Sequence, residues 1–216
     1  MATRTERHRL KLDVKHRVFV GCLGTYTLGD ETQSIAEVEE VVMSTNTMTH
    51  DQYIECRIMD FLTKVFIDND SFTEIFGLIK KLGLSPFDAL LYLNQNHIHD
   101  FDSLTDLLDR YKNVMDKKLF DTYSELKSKT SDSKKIQEFV SGEYGMNELL
   151  TCRVLAYREC WEDLNIAFKD AILNYIDEQG KLNQTVKEYV EEVFIFNVLR
   201  RFDLRYMNNH PLGKPK

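Results

Sequence analysis

The hydrophobic pattern of this chain changes its period near residue 48, and that change constrains the fold more than any other feature of the sequence. Between residues 17 and 44 the apolar residues form short continuous runs, which are typical of strands buried on both faces. From residue 48 onward they recur at three- and four-residue steps, as one face of an α-helix requires. The sequence therefore predicts a mainly α protein, a helical bundle-like domain of six or seven helices with a small N-terminal β hairpin.

The two predicted strands cover residues 17–26 and 38–43. Gly29 and Asp30 between them form a turn signal. Gly21 and Gly24 lie within the first run, where glycine indicates a β-bulge or the close approach of another backbone.

Capping residues mark the predicted helix ends. Thr49, with Gln52 three residues later, forms a capping box that opens the first helix, and Ser71 is expected to cap the second. Gly83 is expected to end that second helix, and Pro86 fits the first turn of a third.

Four further helices follow from the hydrophobic period. The patterns predict one continuous helix over 103–126, a short helix at 136–140, the longest helix at about 147–177 and a last helix carrying residues 186–198. The short helix is expected to end at Gly142 or Gly145, and the longest at Gly180.

These patterns divide the chain into four predicted segments. They are a basic N-terminal arm at 1–16, a β-rich segment at 17–47, a helical domain at 48–207 and a disordered tail at 208–216.

Charge is distributed unevenly along the chain. Residues 1–20 carry six cations and two anions, a net charge of +4, so the other residues carry −11 of the total of −7. A net negative charge disfavours general binding to phosphates, which argues against nucleic acid as a partner. We interpret the basic segment as a solubilising terminus; the alternative is an arm for nucleic acid or an anionic membrane, although interleaved aromatic residues are lacking.

The four cysteines, Cys22, Cys56, Cys152 and Cys160, include no pair at Cys-x-x-Cys spacing. Their spacing predicts free thiols in a reducing, cytoplasmic compartment, with no metal hairpin. No apolar run follows the charged N-terminus, so no signal peptide is expected. No stretch approaches the roughly 18 apolar residues of a membrane span, so no membrane partner is expected either.

The segment 97–102 holds the strongest candidate for a chemical site. His97, His99 and Asp100 lie close in sequence, and imidazoles two residues apart on an extended chain would face one side, as ligands of a divalent metal do. The competing interpretation is a polar loop in which Asp102 or Ser103 caps the next helix. No catalytic motif is present, so the sequence predicts no catalytic residues and no cofactor in this chain.

A family resemblance covers residues 17–95. The run 35–48 (IAEVEEVVMSTNTM), continuing through 49–53 and 57–66, resembles the C-terminal part of cobalamin-binding radical S-adenosylmethionine proteins, in which a last strand leads into an acidic-aromatic helix start. The later run 83–88 (GLSPFD) is also similar to the helical tail of that family.

The chain lacks the two motifs that would make it such an enzyme by itself. It has no Cys-x-x-x-Cys-x-x-Cys triplet for the iron–sulfur cluster and no Asp-x-His-x-x-Gly motif for cobalamin. The resemblance therefore implies the end of such an enzyme, a non-catalytic module that docks onto a protein partner or covers a substrate site. Two alternatives are a stand-alone helical interaction module and a small metal-dependent enzyme that uses the loop of His97 and His99.

Overall fold

The computed structural model describes residues 3–68, 70–117, 119–131, 133–140 and 147–199. These residues contain ten α-helices, one short 3₁₀ helix and one antiparallel pair of strands. In chain order the elements are α1 (Arg4–Leu10), β1 (Asp13–Leu28), β2 (Glu31–Ser44), α2 (His50–Phe66), α3 (Thr73–Lys81), α4 (Pro86–Asn96), the 3₁₀ helix (Ile98–Asp100), α5 (Asp102–Lys117), α6 (Tyr123–Lys129), α7 (Ser133–Val140), α8 (Glu148–Glu159), α9 (Trp161–Glu178) and α10 (Gln184–Leu199). None of the helices in the described part of the chain combines the length and apolarity needed to cross a membrane.

The prediction of a mainly α protein is confirmed, but the predicted number of helices is wrong. One reason is that both of the longest predicted helices are broken. The β element is also larger than a small hairpin, because β1 and β2 have 16 and 14 residues. A third segment joins them through an isolated antiparallel bridge between His16 and Phe120.

The predicted helix over 103–126 is interrupted because Phe120 pairs with a strand. The backbone amide of Phe120 donates to the carbonyl of His16, and the amide of His16 donates to the carbonyl of Phe120, at 2.8 and 2.9 Å. Thr122 then caps α6 by accepting from the amide of Glu125. The predicted helix over 147–177 breaks at Cys160, whose backbone (φ −113°, ψ 11°) lies outside the helical region.

Most local capping signals agree with the structure. Thr49 and Gln52 exchange both hydrogen bonds of the capping box, and Ser85 accepts from the amide of Asp88 at the start of α4. Gly83 adopts a positive φ after α3, as expected. The prediction for Ser71 is wrong, because α3 begins at Thr73 and its N-cap is Phe72, which forms no side-chain cap. The predicted ends at Gly142 and Gly145 and the tail 208–216 lie outside the described residues.

Two compact units divide the chain. Unit 1 comprises Met1–Ile58 and Tyr111–Thr151, and unit 2 comprises Met59–Arg110 and Cys152–Lys216. Each unit is therefore assembled from two separate stretches of sequence, and the boundaries fall within α2, α5 and α8.

Unit 1 is built around the antiparallel ribbon of β1 and β2. The strands are joined by a two-residue turn, in which Gly29 has φ +62°, the sign that a two-residue hairpin turn requires at its first central position. The pairing register shifts between Val18 and Leu23, which agrees with the predicted bulge. The core of this ribbon is small, and its buried members are Val18, Leu126 and Phe139, with Leu23, Ala36, Val38 and Phe120 packed against them.

Unit 2 has a core rich in aromatic rings. Phe168 on α9 is fully buried, and its ring centroid lies 4.6 to 5.9 Å from those of Phe66, Phe72, Phe76 and Phe194. Separations in this range suit tilted and edge-to-face aromatic pairs. The helical stripes of α3, α4, α9 and α10 place their apolar residues in this core.

Candidate functional site

The outer half of the ribbon is exposed on both faces. All residues from 25 to 33 are exposed to solvent. An isolated two-stranded ribbon is only marginally stable in water, since it removes little apolar surface from contact with solvent. This segment therefore contributes little to the core of unit 1, and its exposed side chains are available for contact with another molecule.

The two faces of this outer half differ in chemistry. Cross-strand pairs of Thr25 with Ser34 and of Thr27 with Thr32 form one face, and in each pair the two hydroxyl oxygens are 3.2 Å apart. The opposite face holds large apolar side chains, with exposed fractions of 61, 87 and 49% for Tyr26, Leu28 and Ile35. We call these last three residues the ribbon face.

Gly24 positions the tyrosine of the ribbon face. Gly24 is the cross-strand neighbour of Ile35, and a Cβ atom built on it would lie 2.9 Å from a ring carbon of Tyr26. The Tyr26 ring therefore lies over the glycine, in the space that any other residue would fill. The sequence predicted the approach of another backbone as one reason for this glycine, whereas the nearest group is the side chain of Tyr26.

A groove of about 600 Å³ lies at the base of the ribbon, within unit 1. Val14, His16, Val38, Glu40 and Val42 share one face of the strands and form its floor. The other lining residues are Arg7, Leu12, Glu39 and Tyr123. The floor of the groove thus combines three valines with His16 and Glu40, and further charged groups lie along its side.

Ion pairs occupy the charged side of this groove. The Arg7 guanidinium donates to Glu40, and this bond holds the pKa of the Glu40 carboxyl below its usual range. His16 Nε2 lies 3.6 Å from Glu40 Oε1, and Arg17 Nε donates to Glu39 at 2.5 Å. Glu39 thus faces an arginine, and Glu40 faces both an arginine and a histidine.

The histidines of segment 97–102 do not converge. His97 Nε2 lies 3.2 Å from Asn174 Nδ2, and its Nδ1 lies 3.8 Å from Asp100 Oδ2. His99 instead places Nδ1 3.5 Å from the hydroxyl of Thr105. No group of three possible metal ligands occurs among the described residues. The metal site with His97, His99 and Asp100 stays a prediction, which metal analysis of the purified chain would test.

Beside His97, a tyrosine forms a strong hydrogen bond that the sequence did not predict. The Tyr92 hydroxyl donates to Glu178 Oε1 at 2.6 Å and joins α4 to α9. Since this bond favours the neutral phenol, it raises the pKa of Tyr92 to about 12. The rings of His97 and Tyr175 lie next to it, with centroids at 5.8 and 5.7 Å.

All four cysteines are free thiols, as predicted. Cys152 and Cys160 are buried, whereas Cys56 is exposed. Burial raises the pKa of the Cys160 thiol, whose sulfur lies 3.6 Å from the carbonyl oxygen of Ser103. Burial and then the nearby Glu37 carboxylate raise the pKa of Cys22. A raised pKa disfavours the thiolate, so neither group has the character of an activated nucleophile.

The aromatic residues of the final helices divide between core and surface. Trp161, Phe168, Tyr175 and Phe194 are buried, whereas Tyr189 and Phe196 are exposed. Tyr189 borders a shallow groove of about 410 Å³ between α3 and α10. Phe202 and Tyr206 lie outside the described residues.

Sequence reasoning did not single out the ribbon face. The signal was present, because Tyr26 and Leu28 alternate with threonines up to the turn at Gly29. Alternation of this kind indicates a strand with one apolar face, but it does not reveal whether that face is covered.

No family model, curated protein or solved structure matches this chain. The resemblance to cobalamin-binding radical S-adenosylmethionine proteins therefore rests on the sequence pattern of residues 17–95 alone.

Proposed function

We propose that this chain is a non-catalytic accessory module that docks, through the ribbon face, onto a protein carrying radical S-adenosylmethionine chemistry. The observation that supports docking is the exposure of Tyr26, Leu28 and Ile35 side by side on the outer half of the ribbon. Contiguous exposed apolar side chains of this kind mark interaction surfaces. The choice of partner follows from the sequence resemblance.

The partner must supply the residues that the resemblance implies and this chain lacks. It would carry the three cysteines of the iron–sulfur cluster, either in an in-frame extension of the coding sequence or in the product of an adjacent gene. The proposed setting is the cytoplasm, where the four thiols stay reduced.

Reconstitution of the isolated chain tests its non-catalytic role. The purified full chain is incubated with iron, sulfide and S-adenosylmethionine under reducing, oxygen-free conditions. We expect no stoichiometric cluster and no reductive cleavage of S-adenosylmethionine. A cluster held by this chain, or turnover by it, would show that it acts as an enzyme by itself.

Co-purification with the three-cysteine protein tests docking. We expect the wild-type chain to co-elute with that protein and a variant with Tyr26→Ser, Leu28→Ser and Ile35→Ser to lose binding. Exposed Ile166→Ser on α9 is the control, since this residue belongs to unit 2 and is not part of the ribbon. Co-elution that the triple variant retains would exclude the ribbon face as the docking surface.

A further inference from the structure

The outer edge of β2 is open to another strand. The sheet has two strands, so β2 has β1 as its one strand neighbour within the described residues. Leu28 and Glu31 flank the two-residue turn and form a hydrogen-bonded pair, and such pairs alternate along an antiparallel ladder. The backbone groups of Thr32 and Ala36 therefore point away from β1, toward the open edge.

The charge of β2 defines what can pair with this edge. From residue 31 to residue 44 the strand contains four glutamates and no lysine, arginine or histidine. Glu39 and Glu40 are neutralised by Arg17 and Arg7 at the base of the ribbon. Glu31 and Glu37, in the outer half, form no ion pair within the described part of the chain.

These two carboxylates, which have no ion-pair partner within the described residues, lie on the same side of the sheet as the ribbon face. Side chains alternate along a strand, so Glu31 and Glu37 share the side of Ile35. The edge thus presents carboxylates interleaved with apolar groups on one side and threonine and serine hydroxyls on the other.

A second copy of this chain is a poor occupant of the edge. Antiparallel pairing of β2 with β2 of another copy would place an acidic strand next to an acidic strand, and like charges across a pair destabilise it. Charge complementarity instead selects a strand with lysine or arginine.

From this arrangement we propose that the outer edge of β2 binds an extended cationic segment of the partner protein by strand addition. This inference rests on the proposed docking function and specifies its partner. The added strand forms backbone hydrogen bonds with Thr32 and Ala36. Its cationic side chains face Glu31 and Glu37, and apolar side chains between them contact the ribbon face. Strand addition of this kind takes affinity from the main chain and specificity from alternate side chains.

A synthetic peptide serves as the probe. The sequence Lys-Thr-Val-Thr-Val-Thr-Lys, blocked at both ends, places its two lysines six positions apart, as Glu31 and Glu37 are, with the valines between them on the same side and the threonines on the other. Binding to the full chain is followed by titration calorimetry and by backbone amide shifts. We expect saturable binding with shifts concentrated in β2, and no binding of the same peptide with glutamate in place of lysine.

A matched pair of proline variants identifies the edge. Thr32→Pro removes an outward amide hydrogen of β2, whereas Thr27→Pro removes the corresponding hydrogen on the outer edge of β1, across the same pair. We expect Thr32→Pro to weaken peptide binding by about tenfold or more, and Thr27→Pro to change it by about twofold or less. Circular dichroism and melting verify that both variants fold.

A charge variant keeps the inference testable if either proline disrupts the ribbon. Glu31→Lys with Glu37→Lys is expected to abolish binding of the lysine peptide and to permit binding of the glutamate peptide. Equal effects of the two prolines, or unchanged binding by the charge variant, would refute strand addition at β2. Concentration-dependent dimers that Thr32→Pro abolishes would assign the edge to a second copy and also refute the inference.

The two proposals fail in distinguishable ways. If the chain co-purifies with the three-cysteine protein but does not bind the peptide, the edge inference is wrong and docking stands. If the peptide binds at β2 but no three-cysteine protein associates with the chain, the proposed partner is wrong and the edge inference stands.

Discussion

The aromatic core of unit 2 and the ribbon of unit 1 differ in how completely their apolar side chains are removed from water. In unit 2 the ring of Phe168 contacts four other aromatic rings and has no exposed surface. In unit 1 three buried residues form the core of the ribbon, and the apolar side chains beyond them face solvent. Burial of apolar surface is the dominant stabilising term in folding, so unit 2 holds more of the stability, whereas unit 1 retains surface for binding.

The largest expected effect comes from truncation at the centre of unit 2. Phe168→Ala removes a fully buried ring and is expected to lower the free energy of unfolding by about 3–5 kcal/mol. Urea denaturation measures the loss. Phe168→Leu, which fills most of the space, is the control and should cost less than half as much. A loss below about 1 kcal/mol for the alanine variant would contradict the aromatic cluster as the core of unit 2.

Truncation in the core of the ribbon is expected to have a smaller and more local effect. Leu126 on α6 is fully buried against Val18 and Phe139, and Leu126→Ala should lower stability by about 2–3 kcal/mol. Hydrogen exchange should then accelerate in β1 and β2 more than in α9, because the lost contacts belong to unit 1. The matched control is the exposed Leu28→Ala, with a change within about 0.5 kcal/mol. Uniform acceleration in both units would show that they unfold as one.

The smallest effect is expected at the hydrogen bond between α4 and α9 of unit 2, and it depends on pH. Tyr92→Phe removes the bond to Glu178 and should lower stability by about 1 kcal/mol near neutral pH. The pKa of Tyr92 is raised to about 12, so the folded state favours the neutral phenol. This stabilisation is complete below the ordinary phenol pKa of about 10 and is lost as the pH rises toward 12.

Melting temperatures of wild type and Tyr92→Phe at pH 7, 9 and 11 measure that dependence. The difference between the two proteins should be constant at pH 7 and 9 and smaller at pH 11. Tyr189→Phe provides the control, because this tyrosine is exposed on α10. A difference that grows with pH would contradict the direction of the shift.

Signals confined to a few residues predicted their local structures. The box of Thr49 and Gln52, the helix start at Pro86 and the turn at Gly29 each depend on contacts within four positions, which the sequence displays directly. The helical period extends through residues 103–126, however, and nothing in it shows that Phe120 pairs with His16. The Thr-x-x-Glu pattern at Thr122 was the one local sign of the new helix.

Less of the candidate site than of the fold could be predicted from the sequence. Cys152 and Cys160 are free thiols, as their spacing predicts, but both are buried and the single helix predicted over 147–177 is two helices. The residue types of His97 and His99 predict a metal site. The side chains that lie next to them, Asn174 and Thr105, belong to α9 and α5, and the sequence of the loop gives no sign of these contacts. The ribbon face depends on which surfaces stay uncovered, and that is a property of the whole fold.

The bridge at Phe120 sets an order for events during synthesis. Lys15 and Asp121, which flank it and form an ion pair, are 106 positions apart in the chain. The ribbon emerges from the ribosome early. Its bridge to Phe120 can form only after the first stretch of unit 2, Met59–Arg110, has been translated. Contacts that close such long loops form slowly. The nascent ribbon thus spends that interval with its strand edges and apolar residues unprotected, a period in which a chaperone or an early-binding partner would have its greatest effect on yield.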